Sequence, residues 1–276
     1  MNPVNTALWY IERHFASELS LDEIARHAGA SRFYLTRAFG EVTGFSLMRY
    51  VRGRRLTEAA RALSDGAADI LAVALDSGYG SHEAFTRAFR DQFGITPEAI
   101  RANGHLDGIE LVEAITMDQR QLDDLAPPRI VTGDALLIAG NGERYTCDSS
   151  AGIPAQWQRF LPSFGHVPGQ VGRVAYGVRY NGDDDGNFDY LCGVEVGTFT
   201  ALAERFDRVR VPEHRYAVFR HAEHVSTIRR TQHTIWSTWL PESGYEAADA
   251  PTFERYGEEF DGATGLGGVE IWLPIK

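Results

Sequence analysis

Apolar residues in the first hundred positions follow the period of an amphipathic α-helix. In the segment 21–28 they recur every three or four residues, which places them on one helical face. Ser20 precedes this segment and Gly29 follows it, and these residue types are typical of a helix N-cap and a helix stop. A second periodic segment begins at Ser31, directly after the tight turn. The pattern therefore predicts a helix-turn-helix unit.

The same pattern returns at an offset of 50 residues. Residues 31–39 read Ser-Arg-Phe-Tyr-Leu-Thr-Arg-Ala-Phe and residues 81–89 read Ser-His-Glu-Ala-Phe-Thr-Arg-Ala-Phe, so five of the nine positions are identical. A repeat that keeps the cap and the apolar positions together predicts a second copy of the same unit. In each copy the second helix buries its apolar positions and leaves the others outside. The outward residues are Arg32, Phe33, Thr36 and Arg37 in the first copy and His82, Glu83, Thr86 and Arg87 in the second.

A single long helix is predicted between the two units. The segment Ser46–Leu63 contains one glycine, Gly53, and its apolar residues keep a helical spacing. About 18 residues at about 1.5 Å each give a rod of roughly 27 Å. Successive major-groove faces of one duplex are about 34 Å apart. The spacing therefore predicts that one chain can present two recognition helices to a two-part DNA site without dimerising.

Beyond residues 102–108, which are small and polar, the pattern changes to short β-branched and aromatic runs. We therefore place a linker there and predict two domains, residues 1–105 and 106–276. The predicted strands are Ala135–Ala139, Val174–Tyr180, Tyr190–Val196, Val209–Val211, Tyr216–Arg220 and Val269–Leu273, and the predicted helices are Ile153–Leu161 and Val225–Leu240. The fold class is an all-α double helix-turn-helix domain followed by an α+β domain with an antiparallel sheet.

The second domain also contains a repeat. The recurring motifs are Trp157–Pro162 with Trp236–Pro241 at an offset of 79, Arg179–Tyr180 with Arg255–Tyr256 at 76, and Gly193–Val196 with Gly268–Ile271 at 75. Each copy predicts a strand, a helix and two strands, a βαββ unit. Two such copies predict about eight strands, with one helix covering part of the sheet in each half.

The repeat draws attention to Glu195 and Glu270, which occupy matching strands. Because strand side chains alternate between faces, both carboxylates point away from the face that packs beneath the helices, as does Trp272. If the halves pair about a pseudo-twofold axis, the two carboxylates meet over a central cleft. Carboxylates beside aromatic faces suit a lipophilic cation. The alternative is that both glutamates lie on a solvated face of the sheet.

Composition argues against several classes of protein. The chain is 43% hydrophobic and 24% charged, as in ordinary globular proteins. No apolar run approaches the roughly 18 residues of a membrane span, and the first residues lack the features of a signal peptide. We therefore expect a cytoplasmic protein with no membrane partner. Cys147 and Cys192 form neither a CxxC motif nor a disulfide framework, and we expect two free thiols.

Motifs for metals and catalysis are weak or missing. His221 and His224 are three residues apart at a predicted strand end, which is little evidence for zinc. The sequence has no GxSxG, Walker A or GxGxxG motif. We therefore expect no metal site, no cofactor, no catalytic residues and no enzyme activity.

Charge is distributed unevenly between the two predicted domains. Residues 1–105 hold 12 arginines and 12 acidic residues, so the whole net charge of −11 lies in the remainder. A balanced domain still binds DNA if its arginines share one face, because the phosphate interaction is local and screened. The acidic remainder is a poor DNA binder and attracts cations instead.

The duplicated unit resembles the DNA-binding domain of AraC/XylS regulators. The resemblance covers residues 5–101, and its signature residues are Gly78, Tyr79, Ser81, Phe85, Arg87, Phe89, Phe93, Gly94, Thr96 and Pro97. It implies that double-stranded DNA meets Arg32, Phe33, Thr36 and Arg37 of one recognition helix and His82, Glu83 and Arg87 of the other. Glu83 departs from what phosphates favour unless it reads a cytosine. The remaining arginines, expected to contact phosphate or solvent, are Arg49, Arg52, Arg54, Arg55 and Arg90.

The second domain resembles the GyrI-like ligand-binding domain over about residues 110–276, most strongly in the last seventy. Its motifs here are Tyr216–His221, Trp236–Pro241, Phe253–Tyr256 and Val269–Ile275. The resemblance implies an acidic, hydrophobic pocket for a small aromatic or cationic effector, in which a buried glutamate faces the ligand. The best match for that glutamate is Glu270, followed by Glu195 and Glu254. The aromatic wall candidates are Tyr176, Tyr180, Trp236 and Trp272.

Three functions are compatible with these patterns. The leading hypothesis is a DNA-binding transcription regulator that responds to a small ligand, acting as a monomer or a dimer. RNA polymerase is an open candidate as a further partner. The first alternative keeps DNA binding but assigns the second domain to a protein partner. The second alternative is a GyrI-like hydrolase of reactive small molecules that uses Glu270 with Tyr145 or Tyr176.

Overall fold

The helical period of the first hundred residues yields seven helices in the computed structural model, which describes residues 2–115, 125–146, 149–200 and 202–276. The chain divides into two compact units. Within the described residues, the helical domain comprises residues 3–35 and 46–115, and the sheet domain contains the sheet together with residues 36–45. The helices are α1 (Pro3–His14), α2 (Leu21–Ala28), α3 (Arg32–Thr43), α4 (Leu47–Ser64), α5 (Ile70–Asp76), α6 (His82–Phe93) and α7 (Pro97–Asn103). Helices α2 and α3 form the first helix-turn-helix unit, and α5 and α6 form the second.

Both units begin and end their helices at the predicted residues. Ser20 Oγ accepts a hydrogen bond from the backbone N–H of Glu23 at 3.2 Å. Ser81 Oγ accepts one from the backbone N–H of Ala84, also at 3.2 Å. Gly29 has a φ of 65°, a left-handed conformation that ends α2 and that glycine adopts without a steric penalty. Local chemistry therefore fixes these boundaries before any tertiary contact is considered.

The inward faces of the two recognition helices are closed to solvent. Leu35, Ala38 and Phe39 of α3 are fully buried, as are Phe85 and Phe89 of α6. The helix between the units, α4, has 18 residues, which gives the predicted length of about 27 Å.

The chain stays on the helical domain after α7 ends. Leu106 and Leu111 pack against the core of the second helix-turn-helix unit. The backbone N–H of Val112 donates to Thr57 Oγ1 at 2.9 Å, and that of Ile115 donates to the Tyr50 hydroxyl at 3.0 Å. Residues beyond the predicted linker at 102–108 therefore contact the helical domain, and the domain boundary at 105 stays a prediction.

The sheet domain contains one antiparallel sheet of eight strands. The strands are β1 (Arg129–Gly133), β2 (Leu136–Tyr145), β3 (Gln170–Tyr180), β4 (Phe188–Val196), β5 (Asp207–Val211), β6 (His214–His221), β7 (Thr252–Tyr256) and β8 (Val269–Pro274). Helix α8 (Ile153–Phe160) lies between β2 and β3 in sequence, and α9 (Ile228–Thr234) lies between β6 and β7. A π-helical turn, Ile235–Trp239, continues α9.

The strand order confirms the predicted duplication. Across the sheet the order is β1-β6-β8-β7-β3-β4-β2-β5. Exchange of the two halves, β1–β4 for β5–β8, reverses this order and leaves it unchanged, so β3 and β7 flank a pseudo-twofold axis. Each half contains the predicted βαββ unit preceded by one short edge strand. Two strands, β1 and β7, were not predicted. Strand β7 has no sustained β-branched run, whereas β1 has a short one at residues 130–132 that the sequence interpretation overlooked.

The two faces of the sheet have separate cores. Val194 and Val196 share the helix face with Phe160 of α8, as alternation along the strand predicts. On the opposite face Tyr216 and Phe253 are buried together, with Trp272 packed against them.

One recurring motif of the sequence is not a structural repeat. Arg179 pairs in register with Tyr190, which belongs to the helix-face core. Arg255 pairs with Glu270 instead and lies on the opposite face of the sheet. Its neighbour in the strand, Glu254, pairs with Gly177 and lies on the helix face, and side chains alternate along a strand. The recurrence of Arg179–Tyr180 as Arg255–Tyr256 is therefore a coincidence of sequence.

Candidate ligand pocket and DNA-binding helices

The predicted DNA contacts of the first unit lie on α3, away from its buried residues. Arg32 is exposed and its Nη1 lies 3.1 Å from Asp22 Oδ2. Phe33 and Thr36 are half-buried. Arg37 is also half-buried and lines a pocket, where its Nη2 donates to Thr252 Oγ1 and its guanidinium lies over the Trp236 ring, 5.6 Å from the centroid. An exposed ion pair such as Arg32 with Asp22 is weak.

On α6 of the second unit, Glu83 and Arg87 are exposed, and His82 Nε2 lies 3.0 Å from Glu98 Oε1. The pKa of Glu83 is lowered by hydrogen bonds from its own backbone N–H and from the Ser81 hydroxyl. An ionised carboxylate is stabilised at a helix N-terminus. Glu83 therefore has a structural reason to be acidic, and this accounts for its departure from what phosphates favour.

Two arginines predicted as phosphate or solvent contacts are structural instead. Arg54 is only 5% exposed. It makes a two-pronged ion pair with Glu12 at 3.0–3.1 Å and donates to the Val112 carbonyl at 3.0 Å. Arg55 donates to the backbone carbonyls of Phe15 and Ser17. The prediction was wrong for both because it did not foresee that α4 is surrounded by other segments.

The sheet domain contains a pocket on the helix face of the sheet, at the junction of β3 and β7. Its lining residues in that domain include Gly177, Tyr190, Gln232, Ile235, Trp236 and Glu254. Glu254 belongs to β7, between Phe253 and Arg255 on the opposite face. Gln232 and Trp236 come from α9 and from the π-helical turn that follows it.

Glu254 is a half-buried carboxylate that accepts hydrogen bonds from three uncharged side chains. Its Oε2 accepts hydrogen bonds from the Tyr190 hydroxyl at 2.6 Å and the Tyr256 hydroxyl at 2.9 Å. Its Oε1 accepts one from Gln232 Nε2 at 2.9 Å. Burial raises the pKa of Glu254, and the three hydrogen bonds oppose that rise. Burial and the charge of Glu254 also raise the pKa of both tyrosines well above their usual range.

Gly177 makes room for this arrangement. It lies opposite Glu254 in the register of β3 and β7. A Cβ atom at position 177 would lie 2.0 Å from the Tyr190 hydroxyl oxygen and 2.8 Å from Glu254 Oε2. Both distances are too short for any side chain, so the hydrogen bond between Tyr190 and Glu254 requires glycine here.

The glutamates preferred from the sequence do not lie in this pocket. Glu195 and Glu270 point to the opposite face, as alternation predicted. Glu270 forms ion pairs with Arg129 at 2.5 Å and Arg255 at 3.2 Å and accepts a hydrogen bond from Trp272 Nε1 at 3.2 Å. Two guanidinium groups thus neutralise its carboxylate. Glu270 therefore has its own cationic partners, and a cation cleft over Glu195 and Glu270 stays a prediction.

The predicted aromatic residues divide between the two faces. Trp236 lines the pocket, and Trp272 borders it while its ring stacks on Phe253 on the opposite face. Tyr176 and Tyr180 belong to the opposite-face core. Four residues of the Glu254 site were missed by the sequence interpretation: Gly177, Tyr190, Gln232 and Tyr256. One signal could have identified Tyr256, because alternation along β7 places it on the same face as Glu254.

The pairs proposed for a hydrolase do not form. The Tyr145 hydroxyl donates to Glu143 at 2.9 Å. Tyr176 interacts with Glu195 and Arg255, so neither tyrosine is the partner of Glu270.

The predictions about metal ligands, cysteines and membrane spans concern residues that the structure describes only in part. In the described residues no group of His, Cys, Asp and Glu side chains is arranged to hold a metal ion, and Cys192 is buried and free. Cys147 lies outside the described residues. Over the described ranges no helix combines the length and the apolar character of a membrane span.

Comparison with known proteins agrees with this geometry. A profile described as a GyrI-like small molecule binding domain matches residues 126–276, and one described as a helix-turn-helix domain matches residues 24–103. The chain therefore belongs to the GyrI-like family. It is an AraC-family DNA-binding transcription regulator with a GyrI-like small-molecule-binding domain, and its relatives are regulators rather than enzymes.

Two relatives are similar over the whole chain. The transcriptional regulator Rob of Salmonella typhimurium is 26% identical over 289 residues, covering 99% of this chain and 98% of that protein. The right origin-binding protein of Escherichia coli is 25% identical over 286 residues, with the same coverage. Among solved structures, SAV2435 bound to tetraphenylphosphonium has a TM-score of 0.47 and 19% identity, covering 55% of this chain and 94% of that one.

Proposed function

We propose that the chain is a ligand-responsive transcription regulator whose effector is a small aromatic cation bound beside Glu254. The observation that carries the proposal is a half-buried carboxylate in the pocket wall whose three hydrogen-bond donors, Tyr190, Tyr256 and Gln232, are all uncharged. A buried carboxylate is costly unless a positive group pairs with it. A cationic ligand supplies that charge, and Trp236 supplies an aromatic wall.

The hydrogen-bond count indicates where the cation lies. A carboxylate has about four lone-pair sites. Glu254 Oε2 already accepts two hydrogen bonds, whereas Oε1 accepts one, from Gln232. We therefore expect the positive group of the ligand to approach Oε1, between Glu254 and Gln232. Arg37, Arg179 and Arg229 also line the pocket and disfavour a second positive charge on the ligand.

Two ions of the same shape and opposite charge test this function. Tetraphenylphosphonium and tetraphenylborate are titrated into the full chain by calorimetry. We expect the cation to bind more tightly, and Glu254→Gln to weaken it by at least about tenfold, because loss of one member of a buried charge pair is costly. Glu270→Gln is the matched control and leaves cation binding unchanged. Equal binding of both ions, or equal loss in both variants, contradicts the proposal.

For DNA, we propose that α3 and α6 each read one half of a two-part site. The exposed positions Arg32, Glu83 and Arg87, together with Phe33, Thr36, Arg37 and His82, are the proposed contacts. The 18-residue length of α4 supports a reading in which one chain spans both half-sites. Substitution of Arg37 or Arg87 by alanine is then expected to weaken binding to one half-site only.

A regulatory ligand must change the regulator's interaction with DNA or with transcription machinery. We propose that the protein acts in the cytoplasm, as a monomer or dimer, with RNA polymerase as the candidate partner. Genomic binding mapped with and without the cation measures the response. If no small cation binds and the sheet domain instead retains a protein, the domain is an interaction module.

A further inference from the structure

Side chains of helix α8 bind Tyr190, a hydrogen-bond donor to Glu254, at its backbone carbonyl and at its hydroxyl group. Gln156 Nε2 donates to the backbone carbonyl of Tyr190 at 2.9 Å and to that of Asn141 at 2.8 Å. Trp157 Nε1 donates to the Tyr190 hydroxyl oxygen at 3.3 Å. Two consecutive side chains of α8 therefore fix the backbone and the hydroxyl of the same residue.

Trp157 also contacts the second phenol that donates to Glu254. Its ring meets the ring of Tyr256 edge to face, with centroids 4.9 Å apart and an interplanar angle of 64°. The indole thus touches both hydroxyl-bearing residues that converge on Glu254 Oε2. It is not among the described residues that line the pocket, so any influence on a ligand passes through these neighbours.

We propose that Trp157 is a positioning residue, whose indole N–H directs the Tyr190 hydroxyl toward Glu254 and so orients the carboxylate for a cationic ligand. This inference rests on the proposed function of Glu254. A phenol hydroxyl rotates about its C–O bond, and an N–H donor on its oxygen leaves the carboxylate as the acceptor for its proton. A hydroxyl that accepts one hydrogen bond also donates a stronger one, because hydrogen-bond chains polarise one another.

The repeat explains why one helix position has two tasks. Trp157 and Trp236 occupy matching positions of α8 and of the helical segment after β6. Trp236 lines the pocket, whereas Trp157 holds Tyr190. The first half of the domain thus supplies the support for a carboxylate that belongs to the second half.

A double-mutant cycle tests this role. Trp157→Phe keeps an aromatic ring and removes the N–H donor. We expect it to lower tetraphenylphosphonium affinity by about three- to tenfold, the range of one net hydrogen bond, and to leave tetraphenylborate affinity nearly unchanged. In the Glu254→Gln background the same substitution has no further effect, because the indole acts through the carboxylate.

The controls separate this role from general stability. Trp239→Phe removes an indole whose ring packs edge to face on Phe219, with centroids 4.8 Å apart, and is expected to leave cation affinity unchanged. Losses for Trp157→Phe that are equal for both ions, or additive with Glu254→Gln, overturn the positioning role. If Glu254→Gln itself has no effect, the proposed function fails instead.

Should Trp157→Phe not fold, Tyr190→Phe breaks the same link from the other side. It must then reduce tetraphenylphosphonium affinity, and the reduction must vanish in the Glu254→Gln background. Retention of full affinity in Tyr190→Phe overturns the proposal.

Discussion

The substitution Gly177→Ala places a methyl group inside the hydrogen-bond network of Glu254. The new Cβ atom lies 2.0 Å from the Tyr190 hydroxyl oxygen, whereas ordinary contact begins near 3.4 Å. The hydroxyl must therefore move by about 1.4 Å, because repulsion rises steeply inside contact distance. Its hydrogen bond to Glu254 Oε2, now 2.6 Å, does not survive a displacement of that size.

The magnitude follows from two costs. Overpacking of a tightly packed site costs about 1–3 kcal/mol. A buried polar group that loses its partner costs about 1–3 kcal/mol more. We therefore expect Gly177→Ala to lower the free energy of unfolding of the sheet domain by about 2–6 kcal/mol. Cation affinity falls with it, because Glu254 loses one of its donors.

Urea unfolding followed by circular dichroism measures the first effect, and calorimetric titration with tetraphenylphosphonium measures the second. Gly197→Ala is the matched control, since a Cβ atom there has nothing within 4 Å. If Gly177→Ala is as stable as Gly197→Ala and binds the cation equally well, the close approach of Gly177, Tyr190 and Glu254 does not describe the protein in solution.

The other predictions concern pH, the helical domain and DNA. Because the pKa of Glu254 is raised above its ordinary value of 4.5, the unfolded chain ionises first as pH rises. The Glu254 carboxyl group therefore destabilises the folded state as the pH rises above 4.5. We expect the free energy of unfolding of Glu254→Gln to increase relative to that of the wild type from pH 4.5 upward. A difference between the two proteins that does not change with pH contradicts this prediction. Arg54→Ala removes the ion-pair partner of Glu12 and a donor to the Val112 carbonyl, and we expect it to lower the free energy of unfolding by about 3 kcal/mol. The exposed Arg52→Ala is expected to cost less than about 0.5 kcal/mol, and urea unfolding measures both. Arg87→Ala costs about 1–3 kcal/mol at one half-site in band-shift titrations; equal loss on all sequences marks a phosphate contact instead.

Features that depend on local chemistry could be predicted from the sequence. The caps at Ser20, Gly29 and Ser81 and the length of α4 follow from hydrogen bonding and helical period within a few residues. The repeat in the second domain likewise predicted two βαββ halves. Strand β7 escaped prediction because its residues, Thr-Phe-Glu-Arg-Tyr, alternate polar and aromatic groups without a β-branched run.

The candidate site depends on contacts that a sequence does not display. Alternation placed Glu195 and Glu270 correctly on one face, but the pocket lies on the other, beside α9 and the π-helical turn. A duplicated glutamate drew more weight than the single Glu254. Arg129 and Arg255 neutralise Glu270. Arg129 lies 141 residues away in the chain, and Arg255 lies on β7, which was not predicted, so no local pattern revealed the pairing.

Gly177 and Glu254 form the middle pair of the five that join β3 to β7, at the axis between the two halves. In a dimer of identical half-domains this pair would consist of one residue type twice. Two glutamates there would repel each other, and two glycines would leave the cavity without an acid. Fusion of the halves into one chain removed that constraint, so that one strand supplies the charge and the other supplies the space it needs.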